Sequence, residues 1–164
     1  MKKIIVFINL FIITISIAQN NRKAFTLEIA ANETQQYSAE IPESPYFVKE
    51  KIIQLYCGEK VFIECEIAGD SIATMKVVES NVNPKKTIVI NFTQNSEDRT
   101  NISTMLSVKN PFNKSLIYDA IMFTPISQTW KRTSIIPIRP NLMNFETWPH
   151  AIVTLALEKW RFEE

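Results

Sequence analysis

The sequence predicts an all-β fold, in which two antiparallel sheets pack face to face as a sandwich of about eight or nine strands. Three observations favour this fold. Apolar and polar residues alternate in most apolar segments, which is typical of half-buried strands. These segments are short and recur at intervals of about 8 to 12 residues. The sequence also has no heptad pattern and no internal repeat.

The first half of the chain contains five alternating segments. Turns rich in Asn, Asp, Gly or Pro separate them, and these are the residue types that turns favour. Residues 81–86 have the composition of a loop and end this half. The apolar positions of the five segments are Phe25, Leu27 and Ile29; Tyr37, Ala39 and Ile41; Ile53, Leu55 and Cys57; Val61, Ile63, Cys65 and Ile67; and Ala73, Met75 and Val77.

Cys57 and Cys65 are predicted to be buried thiols that form no disulfide. A hairpin with its turn at residues 58–60 would place Cys57 opposite Val61 and Cys65 opposite Ile53. The two thiols would then lie on one face but about 13 Å apart, at roughly 3.3 Å per residue. A disulfide requires Cα atoms within about 7 Å. The thiols should therefore act as small apolar side chains.

Three further strands are predicted between residues 87 and 123. Residues 87–93 are rich in β-branched side chains, and residues 102–108 alternate again. The polar segment 95–101 between them is predicted to be an exposed loop. Residues 116–123 are apolar on both faces, which is typical of a central strand with the core on one side and a loop over the other.

The final run, residues 151–162, is predicted to close the fold. Its apolar residues up to Leu157 fit a strand, but Trp160 and Phe162 fall on the opposite phase, so a strand requires a β-bulge near residues 158–159. A helix is the alternative, because the same residues fit a 3.6-residue period and favour helix. For the whole chain, an immunoglobulin-like or jelly-roll sandwich is expected, and a closed β-barrel or a sandwich with a C-terminal helix are the alternatives.

Residues 1–18 have the features of a secretory signal peptide. Lys2 and Lys3 precede an apolar run of about 14 residues, shorter than the roughly 20 that span a bilayer, and Ala18 marks the expected cleavage site. Export to the periplasm or the extracellular space is expected, with one soluble domain over 19–164 and no membrane span in it. That domain has 16 basic and 17 acidic residues. Such neutrality disfavours nucleic acid as a partner.

Enzyme chemistry is not favoured by the sequence. His150 is the single histidine, and no metal-binding, phosphate-binding or nucleophile motif is present, so no cofactor or metal is predicted. Glu64 and Glu66 share one face of a predicted strand at a spacing that glycoside hydrolysis could use. Alternate glutamates are more typical of the solvated face of a sheet. A hydrolase therefore remains the minor alternative.

The connection from Pro125 to His150 is the segment most like a binding site. Loops of that length are uncommon in compact domains and are often functional. Only Ser134 to Ile138 has an extended pattern, and Pro137 limits it to an edge strand. Aromatic rings beside charged groups could stack on a sugar or anchor a protein, or alternatively seal one end of the sandwich. The candidate binding residues are Trp130, Arg132, Arg139, Glu146, Trp148 and His150.

Together these features predict an exported, non-enzymatic protein that binds a protein or another macromolecule. The main alternative is a carbohydrate-binding module in which Trp130 and Trp148 are the stacking platforms for a glycan.

Overall fold

The protein is a β-sandwich, as predicted. A computed structural model describes residues 20–163, and in it two five-stranded antiparallel sheets pack against each other. The closed barrel is wrong, because the two sheets are separate and each has its own edge strands. The predicted signal peptide, residues 1–18, lies outside the described residues.

Fourteen strands, several of them very short, lie within residues 20–163. Sheet I has the strand order β13-β10-β9-β7-β8, and sheet II has the order β12-β11-β14-β6-β5. The other four strands form two ribbons, β1 with β4 and β2 with β3. The strands are β1 (Asn21–Arg22), β2 (Phe25–Ala30), β3 (Gln36–Ile41), β4 (Ser44–Pro45), β5 (Phe47–Lys49), β6 (Ile52–Tyr56), β7 (Lys60–Ala68), β8 (Ser71–Val78), β9 (Thr87–Asn95), β10 (Ser103–Lys109), β11 (Leu116–Phe123), β12 (Trp130–Thr133), β13 (Met143–Trp148) and β14 (Thr154–Phe162).

The inward-facing side chains of both sheets form one core. Ile63, Ile88 and Leu106 of sheet I and Leu55 and Leu155 of sheet II are fully buried in it. Each such side chain contributes about 1.5–3 kcal/mol of burial free energy. The apolar positions of the alternating sequence pattern therefore face the core between the two sheets, and the polar positions face outward.

The predicted hairpin between Ile52 and Ile67 is wrong, although both of its strands exist. β6 lies in sheet II and β7 in sheet I, so the chain crosses from one sheet to the other between them. Gly58 makes this crossing with a φ of 98°, a conformation that other residues rarely adopt. Its amide donates to the carbonyl of Phe92 in β9 at 2.7 Å.

The predicted burial of both thiols is confirmed, but the reason for their separation differs. Cys57 follows β6 beside the Phe92 end of β9, whereas the amide of Cys65 donates to the carbonyl of Lys86 at the other end. The distance from Lys86 to Phe92 along an extended chain is roughly 20 Å, far beyond the reach of a disulfide. Burial raises the pKa of each thiol to about 12.

The C-terminal run is a strand with the predicted bulge, and the helical alternative is wrong. β14 lies between β11 and β6. Its register with β11 shifts between Glu158 and Arg161, where Lys159 adopts a φ of 56°. The extra residue turns Trp160 into the core, where its ring stacks on Tyr118 with centroids 4.6 Å apart.

The segment between Pro125 and His150 is not the long loop that the prolines predict. It contains β12 and β13, which are edge strands of the two sheets. The extended residues expected at Ser134 to Ile138 lie between these strands and make one isolated bridge, from Ile138 to Leu116. β12 is mostly polar, and in β13 Met143 and Phe145 fall on the opposite phase from Trp148, so hydrophobic alternation did not reveal either strand.

The two ribbons pack against one end of the sandwich. The amide side chain of Gln94 exchanges hydrogen bonds of 2.9 and 2.8 Å with the backbone of Ala30. Arg99, in a single 3₁₀ turn (Arg99–Asn101), donates to the carbonyls of Asn32 and Gln35. Through these contacts the β2–β3 ribbon is held against the end of β9.

Arg22 anchors the N-terminal segment to the same end. Its side chain is 2% exposed and forms a bidentate pair with Glu59, at 2.8 and 3.0 Å. It also donates to the carbonyl of Gln54 at 2.7 Å. The guanidinium lies 4.6 Å from the ring centroid of Tyr46 and 4.8 Å from that of Tyr56. No sequence motif predicted this cluster.

Candidate binding surface

An apolar depression lies on the outer face of sheet II. Its volume is about 220 Å³, and outward-facing residues from all five strands of the sheet line it. We call these residues the Trp130 platform: Val48, Gln54, Ile121, Trp130 and Ala156. The outer face of an antiparallel sheet is usually polar, so exposed apolar side chains here are unusual.

The sheet register explains the depression. Ala156 of the central strand β14 pairs with Gln54 on one side and with Ile121 on the other, and Ile121 pairs with Arg132 of β12. These four side chains therefore form one row across the sheet. Because Ala156 is the smallest of them, the row is lowest at its middle.

Trp130 stands at the edge of this row. It pairs with Phe123, and the two rings lie 5.5 Å apart at an angle of 54°. Trp130 is 50% exposed, and Val48, on the opposite edge strand β5, is 54% exposed. The strand predicted to be covered by a loop, β11, instead contributes Ile121 to this open depression.

Five charged residues border the platform, and we call them the charged rim. Asp119 of β11 pairs directly with Glu158 of β14, so two carboxylates face each other across the strands. Such like-charge pairs are destabilising unless cations neutralise them. The neutralising residues are Arg132, Lys159 and Arg161.

Asp119 is the centre of the rim. Lys159 lies 2.9 Å from it, Arg161 3.3 Å and Arg132 3.5 Å. The hydrogen bond from Lys159 lowers the pKa of Asp119 most, and the charges of Lys159 and Arg161 lower it further. The bulge at Lys159 makes this geometry possible, because it lets Lys159 and Arg161 both reach the outer face.

Only two of the six predicted binding residues meet on this surface. Trp130 and Arg132 are two residues apart on β12 and face the same way, roughly 7 Å from each other. The other four predicted residues lie elsewhere.

Glu146 and Trp148 connect the edges of the two sheets. The indole nitrogen of Trp148 donates to the hydroxyl of Thr133 at 2.9 Å. The carboxylate of Glu146 accepts from the amides of Ile136 and of the Asn144 side chain. These contacts hold the 134–138 connection in place, which is the sealing role that the sequence left open as the alternative for Trp148.

Arg139 and His150 lie at opposite ends of β13, separated by roughly 20 Å of strand. The carbonyl of Arg139 accepts from Asn110, and that of His150 accepts from Thr104. Both side chains are exposed. Phe145, also in this segment, is 57% exposed on the outer face of sheet I, away from the Trp130 platform.

The two glutamates considered for hydrolysis sit in surface ion pairs. Glu64 accepts from Asn83 and pairs with Lys76 at 2.9 Å. The hydrogen bond from Asn83 is the main cause of a lowered pKa of Glu64, with Lys76 second. Glu66 pairs with Lys86 at 3.0 Å. A lowered pKa keeps a carboxyl ionised, which is the opposite of what a general acid needs.

A second cleft, of about 640 Å³, lies at the end of the sandwich opposite the ribbons. Both lysines that line it contact other lining residues. Lys114 pairs with Asp70, and Lys51 donates to the carbonyl of Ile72. The Trp130 platform is therefore the better candidate, because its exposed groups are apolar.

Residues 20–163 contain no group of three metal-ligating side chains that could hold an ion. In the same range, none of the helices has the length and apolarity required to cross a membrane. Comparison of the chain with protein-family models, with curated proteins and with solved structures found no match in any of the three.

Proposed function

We propose that this is an exported, non-catalytic binding protein, and that the outer face of sheet II contacts its macromolecular partner. The observation that carries the proposal is the Trp130 platform, in which the exposed Trp130 and Val48 flank the half-buried Ile121 and Ala156 on a sheet face. Exposed apolar clusters of this kind mark interaction sites in soluble domains. Trp is also the residue type most enriched among interface anchors.

The placement of the reactive groups supports a non-catalytic role. Cys57 and Cys65 are buried with raised pKa values, so neither is activated as a nucleophile. Glu64 and Glu66 are held in surface ion pairs.

A carbohydrate-binding module is the second candidate. An exposed indole on the outer face of a sheet, beside Gln54 and Arg132, is the kind of surface on which a sugar ring stacks. Trp148 cannot share that platform, because it lies between the sheet edges and bonds Thr133. A glycan would therefore have to be held by Trp130 alone.

The test compares two exposed aromatic residues on opposite faces. Purified wild-type domain, Trp130→Ala and the control Phe145→Ala are used to capture partners from the exported fraction of the source cells. We expect Trp130→Ala to weaken capture by about 30-fold, the loss of about 2 kcal/mol that defines a hot spot. Phe145→Ala should retain its partner.

Equal capture by all three proteins would refute the role of the platform. Circular dichroism and thermal melting of each variant exclude unfolding as the cause of any loss. Both side chains are about half exposed, so both variants should remain folded.

A further inference from the structure

We infer that the partner is a protein segment that presents one large apolar side chain close to one or more carboxylates. The inference depends on the proposed function, because it concerns the same surface. It names the chemistry that the Trp130 platform and the charged rim recognise together.

The size of the depression favours a single side chain. Small-molecule sites in proteins usually enclose about 300–1,000 Å³. At about 220 Å³, and open to solvent, the depression is too small to surround such a ligand. One Leu, Met or Phe side chain from a partner can instead sit on Ala156, between Val48 and Trp130.

The walls of the depression favour an apolar anchor over a sugar. Val48, Ile121 and Ala156 offer no hydrogen-bonding side chains. Besides Trp130 with its indole N–H, Gln54 is the one polar lining residue, and its amide nitrogen already lies within hydrogen-bond distance of Thr154 and Tyr56, at 3.2 and 3.3 Å. A sugar seated on Val48, Ile121 and Ala156 would leave the hydroxyl groups that face them unpaired, which costs free energy.

The rim presents positive charge to the partner. The side chains of Arg132, Lys159 and Arg161 are 63%, 57% and 51% exposed, whereas Asp119 and Glu158 are 29% and 15% exposed. The cations thus lie above the carboxylates, and they outnumber them by three to two. An approaching chain therefore meets a cationic surface, which favours a partner with carboxylates.

Arg132 is the cation best placed to receive a carboxylate. Its contacts to Asp119 and Glu158 are single ones, at 3.5 and 3.3 Å, so most of its five N–H donors are uncommitted. It stands in the same cross-strand row as Ala156, two strand spacings or roughly 10 Å away. An acidic residue within about four positions of the anchor can span that distance in an extended or helical segment.

The probe is a phage-displayed library of random twelve-residue peptides. The library is selected on the wild-type domain after depletion on Trp130→Ala. We expect enriched peptides to combine one large apolar residue with Asp or Glu within four positions. Their binding should weaken as salt rises, because exposed charge pairs are screened. Enrichment of neutral or basic peptides, or no enrichment, would overturn the inference.

Charge reversal then tests the role of the rim. Arg132→Glu should reduce the affinity of the selected peptides at least tenfold, and peptides with Lys in place of the acidic residue should recover binding to it. Lys109→Glu, an exposed lysine on sheet I, is the matched control and should have no effect. Unchanged affinity for Arg132→Glu would refute the inferred charge recognition.

Glycan binding distinguishes a failure of the peptide inference from a failure of the proposed function. Polysaccharide binding that depends on Trp130 would overturn the peptide inference while leaving the binding function intact. Trp130→Ala without effect on the natural partner would instead overturn the proposed function itself.

Discussion

Arg22 combines several interactions that make a buried charge tolerable. Its guanidinium pairs in bidentate fashion with Glu59 and lies between the rings of Tyr46 and Tyr56. Arg suits this position because its planar donors match a carboxylate and its face stacks on aromatic rings, which the ammonium of Lys does not do. The pair therefore holds the N-terminal segment with a defined geometry.

Removing either partner of this pair should strongly destabilise the domain. Arg22→Met leaves the carboxylate of Glu59, which is only 10% exposed, without its cation, and we expect a loss of about 3–5 kcal/mol. Glu59→Leu should cost a similar amount. The double variant should recover part of the loss, since no unpaired charge remains. Urea denaturation measures all three, and additive single losses would contradict a coupled pair.

At the scale of elements, the bulge in β14 joins the core to the binding surface. One extra residue in the strand turns Trp160 inward and sends Lys159 and Arg161 outward to Asp119. The bulge requires a φ of 56° at Lys159, a conformation that is strained for a non-glycine residue. The ion pairs of the rim offset part of this strain.

The lowered pKa of Asp119 predicts a pH-dependent contribution to stability. A carboxyl whose folded pKa lies below its unfolded value of about 3.9 stabilises fully above that value, and its contribution is lost as pH falls through the folded pKa. Asp119→Asn should therefore lower the free energy of unfolding at pH 7 by up to about 1 kcal/mol. The difference from wild type should shrink as pH falls below the unfolded pKa of about 3.9.

Urea denaturation across this pH range measures the effect. Ile117→Val, an uncharged change on the same strand, is the control and should cost the same at every pH. A constant difference for Asp119→Asn would contradict the ionic origin of its contribution.

The sequence predicted which segments form strands better than it predicted which strands pair with each other. The apolar alternation of β6 and β7 is real, but alternation also fits strands in different sheets, and Gly58 makes a crossing instead of a hairpin. The bulge near Lys159 was predictable because Trp160 changes phase within one strand. Pairing depends on contacts between distant segments, which local patterns do not contain.

The same distinction, between local patterns and the pairing of distant strands, explains which residues of the binding surface were predicted. Trp130 and Arg132 were predicted because they are close in sequence and of suitable type. Val48, Asp119 and Ile121 were missed because they lie on other strands and join the surface only through the sheet register. Arg139 and His150 were included for their proximity in sequence, but a whole strand separates them.

At the scale of the whole molecule, the reactivity of the two thiols measures how often the sandwich opens. Cys57 and Cys65 come from opposite sides of the sheet packing, and both are buried in the single core. A thiol with a pKa of about 12 has a thiolate fraction at neutral pH roughly a thousandfold below that of a free cysteine. Only exposure by unfolding should make them reactive.

Thiol labelling by Ellman's reagent tests this expectation. In the native protein both cysteines should react at the rate of unfolding, whereas both react rapidly in denaturant. A cysteine introduced at the exposed Ser71 provides a control for reagent access. A reducing agent should leave the melting temperature unchanged. Rapid native labelling of Cys57 or Cys65 would contradict a closed core.

The central position of β14 has a consequence for how the protein is made. Thr154 bonds the carbonyl of Leu55, 99 residues earlier, and β14 is the strand that joins β6 to β11. In a chain that emerges from the ribosome N-terminus first, both of these neighbours have open edges until β14 appears. Such edges are prone to aggregation. We therefore expect a chain that lacks β14 to aggregate instead of folding.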